Sequence, residues 1–224
     1  MRRYLVPLIF GLGGAAVLMS LGFWQLDRLE QKLDRLARIE AKIGDVPGDV
    51  PTELDAERDQ YMPVTVSGDL LEDAARVLVS AGGQGAGYRL ISPFRLADGR
   101  LVMVDEGYVG LAAESAPGAA PGVNVTGNLD WPDEADRWTP APDLSTRQFY
   151  ARDVDALAEV LGTDPILIVA RDVSGTDRRA TPLPVTTDRI PNNHLGYAVQ
   201  WFGLAAVWLG MTAFLLWRIR KRTV

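Results

Sequence analysis

The sequence predicts a membrane protein of the α+β class. Two transmembrane helices, N- and C-terminal, flank a mostly antiparallel β extracytoplasmic domain with a short helix. Three observations lead there. Uncharged apolar runs lie at both ends of the chain. Between them stand short segments rich in Val, Ile and Tyr, bounded by glycine or charge. The basic residues Arg2, Arg3, Arg218, Arg220, Lys221 and Arg222 sit outside the two runs, while the formal net charge of the chain is −6, so the middle is strongly acidic.

The first run, Tyr4 to Phe23, lies within a segment 1–23 read as the first membrane helix. Ser20-Leu21-Gly22 has a small-x-small pattern that a signal peptidase accepts, but the length of the run favours a retained helix. Gly11, Ala15, Leu18 and Gly22 give it a seam of mostly small residues. Segment 24–43 continues as an amphipathic extension with a stripe of Leu26, Leu29, Leu33, Leu36 and Ile43, interrupted by Glu40. The bland reading, leucines packed on the helix's own domain, is preferred to a coiled coil because two heptads are too few to specify one.

The β-rich domain is placed at 44–193. Gly44 to Arg58 reads as a Pro/Gly/Asp-rich linker. Strands are expected at 61–68, 76–80, 88–93, 101–109, 123–129 and 165–170, with a short helix over 153–161 stopped by Gly162. The run Ala81-Gly82-Gly83-Gln84-Gly85-Ala86-Gly87 is a turn. No Lys-Ser/Thr pair and no helical pattern follow it, as a phosphate loop requires. A mobile loop is expected over 111–121, irregular partner-facing surface over 130–144, and an extended return over 171–190.

The second membrane helix is placed at 194–217, followed by a basic tail at 218–224. From Leu195 to Trp217 there is no charge; as a helix this is ~35 Å at 1.5 Å per residue. That length crosses a bilayer core of about 30 Å. Pro191 precedes the helix and Asn192 or Asn193 can cap it. Gly196, Gly203 and Gly210 repeat every seven residues, a second seam expected to meet the first. By the positive-inside rule both termini are cytoplasmic and the middle is external. With no Arg/Ser-rich presequence, the expected location is a bacterial inner membrane with a periplasmic domain.

Composition narrows the chemistry. There is no cysteine, which excludes disulfides, thiolate metal sites and covalent haem attachment. The acidic middle argues against nucleic acid as a partner. There is one histidine, His194, at the water boundary of the second membrane helix. The positive end of a helix dipole favours neutral imidazole, the form that binds metal. The helical period leans His194, Tyr197, Trp201 and Trp208 towards one face. The bland alternative is an aromatic belt and a capping histidine. A Ser-His-Asp arrangement would need a serine from the domain to reach His194, and no G-x-S-x-G elbow is present. Asp105 and Glu106, and Asp133 and Glu134, are adjacent in sequence. Strand neighbours point to opposite faces, so these pairs are read as solvated surface charge.

The stretch Asn192-Asn193-His194-Leu195-x-Tyr197-Ala198-x-x-Trp201-Phe202-Gly203-Leu204-Ala205 resembles the C-terminal signature of the surfeit locus protein 1 family of cytochrome c oxidase assembly proteins. Gly22-x-Trp24-Gln25-x-x-Arg28-x-x-x-Lys32 is similar to the family's N-terminal signature. Gly87 to Phe94, Asp98-Gly99 and Val102 to Val109 resemble further segments in the same order. Where the family usually carries Arg-Gly-Trp-Val-Pro, this chain has Glu106-Gly107-Tyr108-Val109-Gly110. The resemblance implies a non-enzymatic assembly factor for a haem-copper oxidase that binds or presents haem a for insertion into subunit I. The family's histidine falls on His194, implying an axial ligand to haem iron, with Tyr197 and Trp201 beside the macrocycle. Implied partners are oxidase subunit I, other oxidase assembly or haem a synthesis proteins, and membrane lipid. The alternative is a membrane-anchored structural module without haem.

Overall fold

In the computed structural model, residues 2–112, 118–188 and 190–221 are described; the side chains of Arg2 and Arg3 are not. Arg222, part of the expected basic tail, and residues 113–117 of the expected mobile loop lie outside the described residues. The chain divides into two compact units, Met1–Arg38 with Thr187–Val224, and Ile39–Thr186.

The first unit is built on two helices long and apolar enough to cross a membrane. Helix α1 runs unbroken over Arg2–Ile43, so the apolar run and the amphipathic extension are one element. Pro7 is its only proline and stands near the N-terminal end, where few ladder bonds are at stake. The helix ends where the Gly44 amide donates back to the Glu40 carbonyl at 3.0 Å. Helix α4, which follows the second unit, spans His194–Lys221, with Arg218, Arg220 and Lys221 in its last turn, where the helix dipole favours cations.

The two helices pack antiparallel along the small-residue seam of α1, but the seam of α4 is not the one the glycine spacing indicates. A Cβ added at Gly11 would lie 2.1 Å from the Thr212 side chain, one at Gly14 would lie 2.5 Å from the Trp208 indole, and one at Gly22 would lie 2.5 Å from the Phe202 ring. Gly196, Gly203 and Gly210 have nothing within 4 Å of such an atom. On α4 the facing positions are Ala198, Phe202, Ala205, Trp208 and Thr212, spaced by three and four residues, with Ala198 and Ala205 buried. The physical logic is large-into-small: α1 supplies gaps and α4 supplies rings to fill them. Phe23 and Phe202 meet edge to face at 5.3 Å, and the Trp208 indole N–H donates to the Gly11 carbonyl at 3.0 Å.

Gly22→Leu is therefore expected to weaken this pair by about 1–3 kcal/mol, as overpacking does. Gly203→Leu should leave it within about 0.5 kcal/mol, as surface changes do. The chain has no native cysteine, so disulfide trapping of introduced pairs reads the contact cleanly. Cross-linking at 11/212 and none at 11/210 is the expected pattern.

The second unit holds the sheet. Its strands are β1 (Pro63–Leu70), β2 (Ala75–Ala81), β3 (Gly85–Leu96), β4 (Leu101–Gly110), β5 (Ala120–Leu129), β6 (Gln148–Phe149) and β7 (Leu167–Ser174). Their order is β1-β5-β7-β4-β3-β2-β6, and β1 also pairs with β3, which closes five strands into a ring. Most pairings are antiparallel; β4 with β7 and β2 with β6 are parallel. Inside the ring sit Val64, Val66, Leu70, Phe94, Val102, Val104, Val125, Leu129 and Ile168. Alternate residues face out, where Thr65 and Thr126 share a hydroxyl bond at 3.0 Å.

Helix α3 (Val154–Leu161) covers a second core of Val77, Ile91, Met103, Phe149, Leu157 and Val169. It starts as expected, with the Asp153 carboxylate accepting the Ala156 amide at 3.1 Å, and stops at left-handed Gly162. The stretch read as a linker contains the short helix α2 (Ala56–Asp59) and a bridge from Gly48 to Val64.

One irregularity matters for the charges. The β3–β4 register slips between Leu90↔Gly107 and Ile91↔Asp105, leaving Glu106 as the extra residue of a bulge. Gly107 has φ 112°, and a Cβ there would lie 2.1 Å from the Thr181 carbonyl oxygen, so the bulge needs glycine.

Candidate functional site

His194 is the first residue of α4. The chain reaches it through Asn193, whose carbonyl accepts the Tyr197 amide at 3.2 Å and opens the helix. Asn192 Oδ1 is buried with no hydrogen-bond partner among the described residues. The imidazole is half-buried, and its Nδ1 lies 2.8 Å from Gln25 Oε1 on α1. Gln25 follows Gly22 by one helical turn, and His194 precedes Phe202 by about two. The close approach at Gly22 and Phe202 is what brings the amide within reach of the ring.

The aromatic residues assigned to this face differ in exposure. Tyr197 is 52% exposed and Trp201 is half-buried. Trp208 turns onto α1, where it meets Gly11 and Gly14. A wide apolar groove of about 790 Å³ runs along the helix pair, bounded by Ile9, Phe10, Val17, Leu204, Trp208 and Met211. It begins at Leu204 on α4, so His194 does not line it. Among the described residues no three His, Cys, Asp or Glu side chains are grouped as a metal site.

The second unit contains a buried charge network, which corrects the reading of Asp105 and Glu106 as solvated surface charge. Asp105 is 0% exposed and Glu106 is 2% exposed. Both faces of β4 are covered, with Val102 and Val104 in the ring core and Met103 in the second core, so neither of two strand neighbours reaches solvent. Asp105 pairs with Arg89, accepts the Gly107 amide at 3.0 Å, and lies 3.9 Å from Arg152. Arg152 extends to Asp130 at 3.1 Å and Glu134 at 2.5 Å. Gln60 bridges this network to the chain beyond it, donating to Asp130 at 2.8 Å and accepting the Trp131 amide at 2.8 Å.

Glu106 belongs to a separate cluster. It accepts the Ser92 hydroxyl at 2.5 Å and pairs with Arg179 at 3.0 Å. Burial pushes the Glu106 and Asp130 carboxyls up, against the opposing pull of their partners. Glu134 is also pushed up by burial, but bonds from Arg152 hold it below its usual range. Asp105, Asp130, Glu134 and Glu106 are each tied to a guanidinium, an arrangement suited to fixing β3, β4 and the segments around them. Neither Arg89, Arg152 nor Arg179 was singled out by sequence reasoning as the partner of an acid. Arg89 and Arg152 meet Asp105 and Asp130, 16 and 22 residues away, and Arg179 meets Glu106 from another segment; no local spacing signals such pairs.

The chain matches the SURF1 family over residues 12–206, a span that includes both Gln25 and His194. The chain belongs to the SURF1 family. It is 30% identical over 218 residues to a SURF1-like protein of Monosiga brevicollis, covering 89% of this chain and 83% of that one. To a SURF1-like protein of Rickettsia bellii it is 28% identical over 227 residues, covering 93% and 88%. To Surfeit locus protein 1 of Rattus norvegicus it is 26% identical over 213 residues, covering 85% and 69%. The SURF1 family is one of oxidase assembly factors, not a catalytic family. The two long apolar helices fit a membrane-anchored member of it.

Proposed function

We propose that this SURF1-family chain serves the assembly of a haem-copper terminal oxidase by holding haem a at His194 and presenting it to subunit I. It turns over no substrate. The observation that carries this reading is a lone, half-buried imidazole at the start of an apolar helix, in a chain of an oxidase-assembly family. The donor set fits haem better than a bare ion. Haem iron arrives with four ring nitrogens and needs an axial ligand from the protein, whereas a bare zinc site needs three or four protein side chains. The orphaned Asn192 Oδ1, two residues before His194, is a further polar atom able to take a donor there. His194 would hold the iron, with Tyr197 and Trp201 offering aromatic surface to the macrocycle. Bound haem would supply an iron that the receiving subunit needs; the protein supplies ligand and shelter.

The basic residues outside the two apolar runs support a hairpin with both termini cytoplasmic. The Ile39–Thr186 unit would then be periplasmic, at a bacterial inner membrane. There it can meet subunit I and other assembly or haem a synthesis proteins. Reporter fusions at Asp130 and at the C-terminus check this, and an external C-terminus contradicts it.

The second reading is a membrane-anchored structural module without haem, favoured by the His194–Gln25 bond, which also serves as a plain interhelical contact. Deleting the gene in its host separates the two. The haem reading expects subunit I that is synthesised but depleted in haem a. The structural reading expects the deletion to leave the haem content of remaining subunit I unchanged.

A further inference from the structure

The imidazole of a neutral histidine carries one proton, and the partner of one nitrogen decides which nitrogen is left with a lone pair. His194 Nδ1 lies 2.8 Å from Gln25 Oε1. An amide oxygen only accepts, so in the neutral ring this contact makes Nδ1 the donor and leaves the lone pair on Nε2. We infer that Gln25 is a positioning residue: it holds His194 in the Nδ1–H tautomer and aims Nε2 as the sole open ligand nitrogen. This rests on the haem reading for its purpose, but not for its chemistry.

The geometry that enforces it is local. Gly22 lets the Phe202 ring reach within van der Waals distance of the α1 backbone, and Phe23 closes on the same ring at 5.3 Å. That contact sets the register of the helix pair one turn below Gln25, so the amide and imidazole meet without a long flexible reach. Metal-bound histidines commonly give their second N–H to an acceptor, which fixes ring orientation and raises basicity. Gln25 supplies that acceptor from the other helix, 169 residues away in sequence.

The test uses the full chain, in micelles, purified without a polyhistidine tag and labelled with nitrogen-15 histidine. With one histidine in the chain, the imidazole signals need no assignment. The haem-free wild type should show a protonated Nδ1 and a bare Nε2. Gln25→Leu should shift the ring towards the Nε2–H form. Gln25→Glu, an acceptor of the same length, should keep the Nδ1–H form. Haem titration of the same three proteins should show Gln25→Leu weakened about 10- to 100-fold and Gln25→Glu bound at least as well as wild type, with its reduction potential lowered.

A wild type with bare Nδ1, or a Gln25→Leu spectrum identical to wild type, overturns the assignment whatever haem does. A wild type with the Nδ1–H tautomer that takes up no haem overturns the haem reading and leaves the tautomer assignment standing. Because the wild-type spectrum alone decides the tautomer, a misfolded variant does not rescue the inference.

Discussion

His194→Ala is expected to reduce the haem carried by the purified chain at least about tenfold, the order of loss that follows removal of a metal's supporting protein group. Host oxidase activity should fall with it, and the loss should be greatest in the haem content of subunit I. The fold should survive. The imidazole makes one described hydrogen bond, to Gln25, and losing a neutral bond of that kind costs about 0.5–1.5 kcal/mol. The Ile39–Thr186 unit has its own core and does not depend on the ring. Circular dichroism of the full chain should therefore match wild type. The structural reading expects the same small stability change with no change in haem content, so absorption and circular dichroism together tell them apart. A mutant that retains stoichiometric haem with an unaltered axial-ligand signature removes His194 from the site.

Asp105→Ala is expected to destabilise the Ile39–Thr186 unit by about 3–5 kcal/mol, the cost of removing one partner from a buried ion pair. Asp105 is fully enclosed, and the side chains of Arg89 and Arg152 that face it are 9% and 12% exposed. Without the carboxylate, two guanidiniums remain close together in a poorly solvated place. The bulge also loses the acceptor for the Gly107 amide. Glu134→Ala is the matched control. Its side chain is 42% exposed, and an exposed pair contributes about 0–1 kcal/mol. Denaturant unfolding of the full chain, followed by near-ultraviolet circular dichroism, measures both. Equal midpoints for the two variants would mean that the buried network does not hold the barrel.

The parts of this molecule that were legible in the sequence are those written in local pattern. Two uncharged runs gave two long helices, and short segments rich in Val, Ile and Tyr gave β1, β2, β3, β4 and β5 within a few residues. Asp153 and Gly162 framed α3 because capping is chemistry of single residues. The parts that were not legible depend on distant partners. The heptad of Gly196, Gly203 and Gly210 correctly describes one face of α4, but periodicity does not say which face a neighbour takes. Trp208, Phe202 and Thr212 take it because the gaps are on the other helix. Strand β6 is two residues long and has no pattern to detect. The parallel pairing of β7 with β4 is a matter of topology. Asp105 and Glu106 were misread because the reading took one face of the strand to be solvated, whereas β4 is covered on both faces. At the candidate site, the motif containing His194 also has a counterpart containing Gln25. Only the fold shows that the two touch.

The most direct test of the account is to coexpress the full chain with haem a synthesis enzymes, purify it in detergent, and record its visible spectrum beside that of His194→Ala. The account predicts haem a copurifying with the wild-type chain, near one per chain, and largely absent from the mutant. A wild-type chain that is folded and membrane-extracted yet colourless, with haem a abundant in the same membranes, would contradict it.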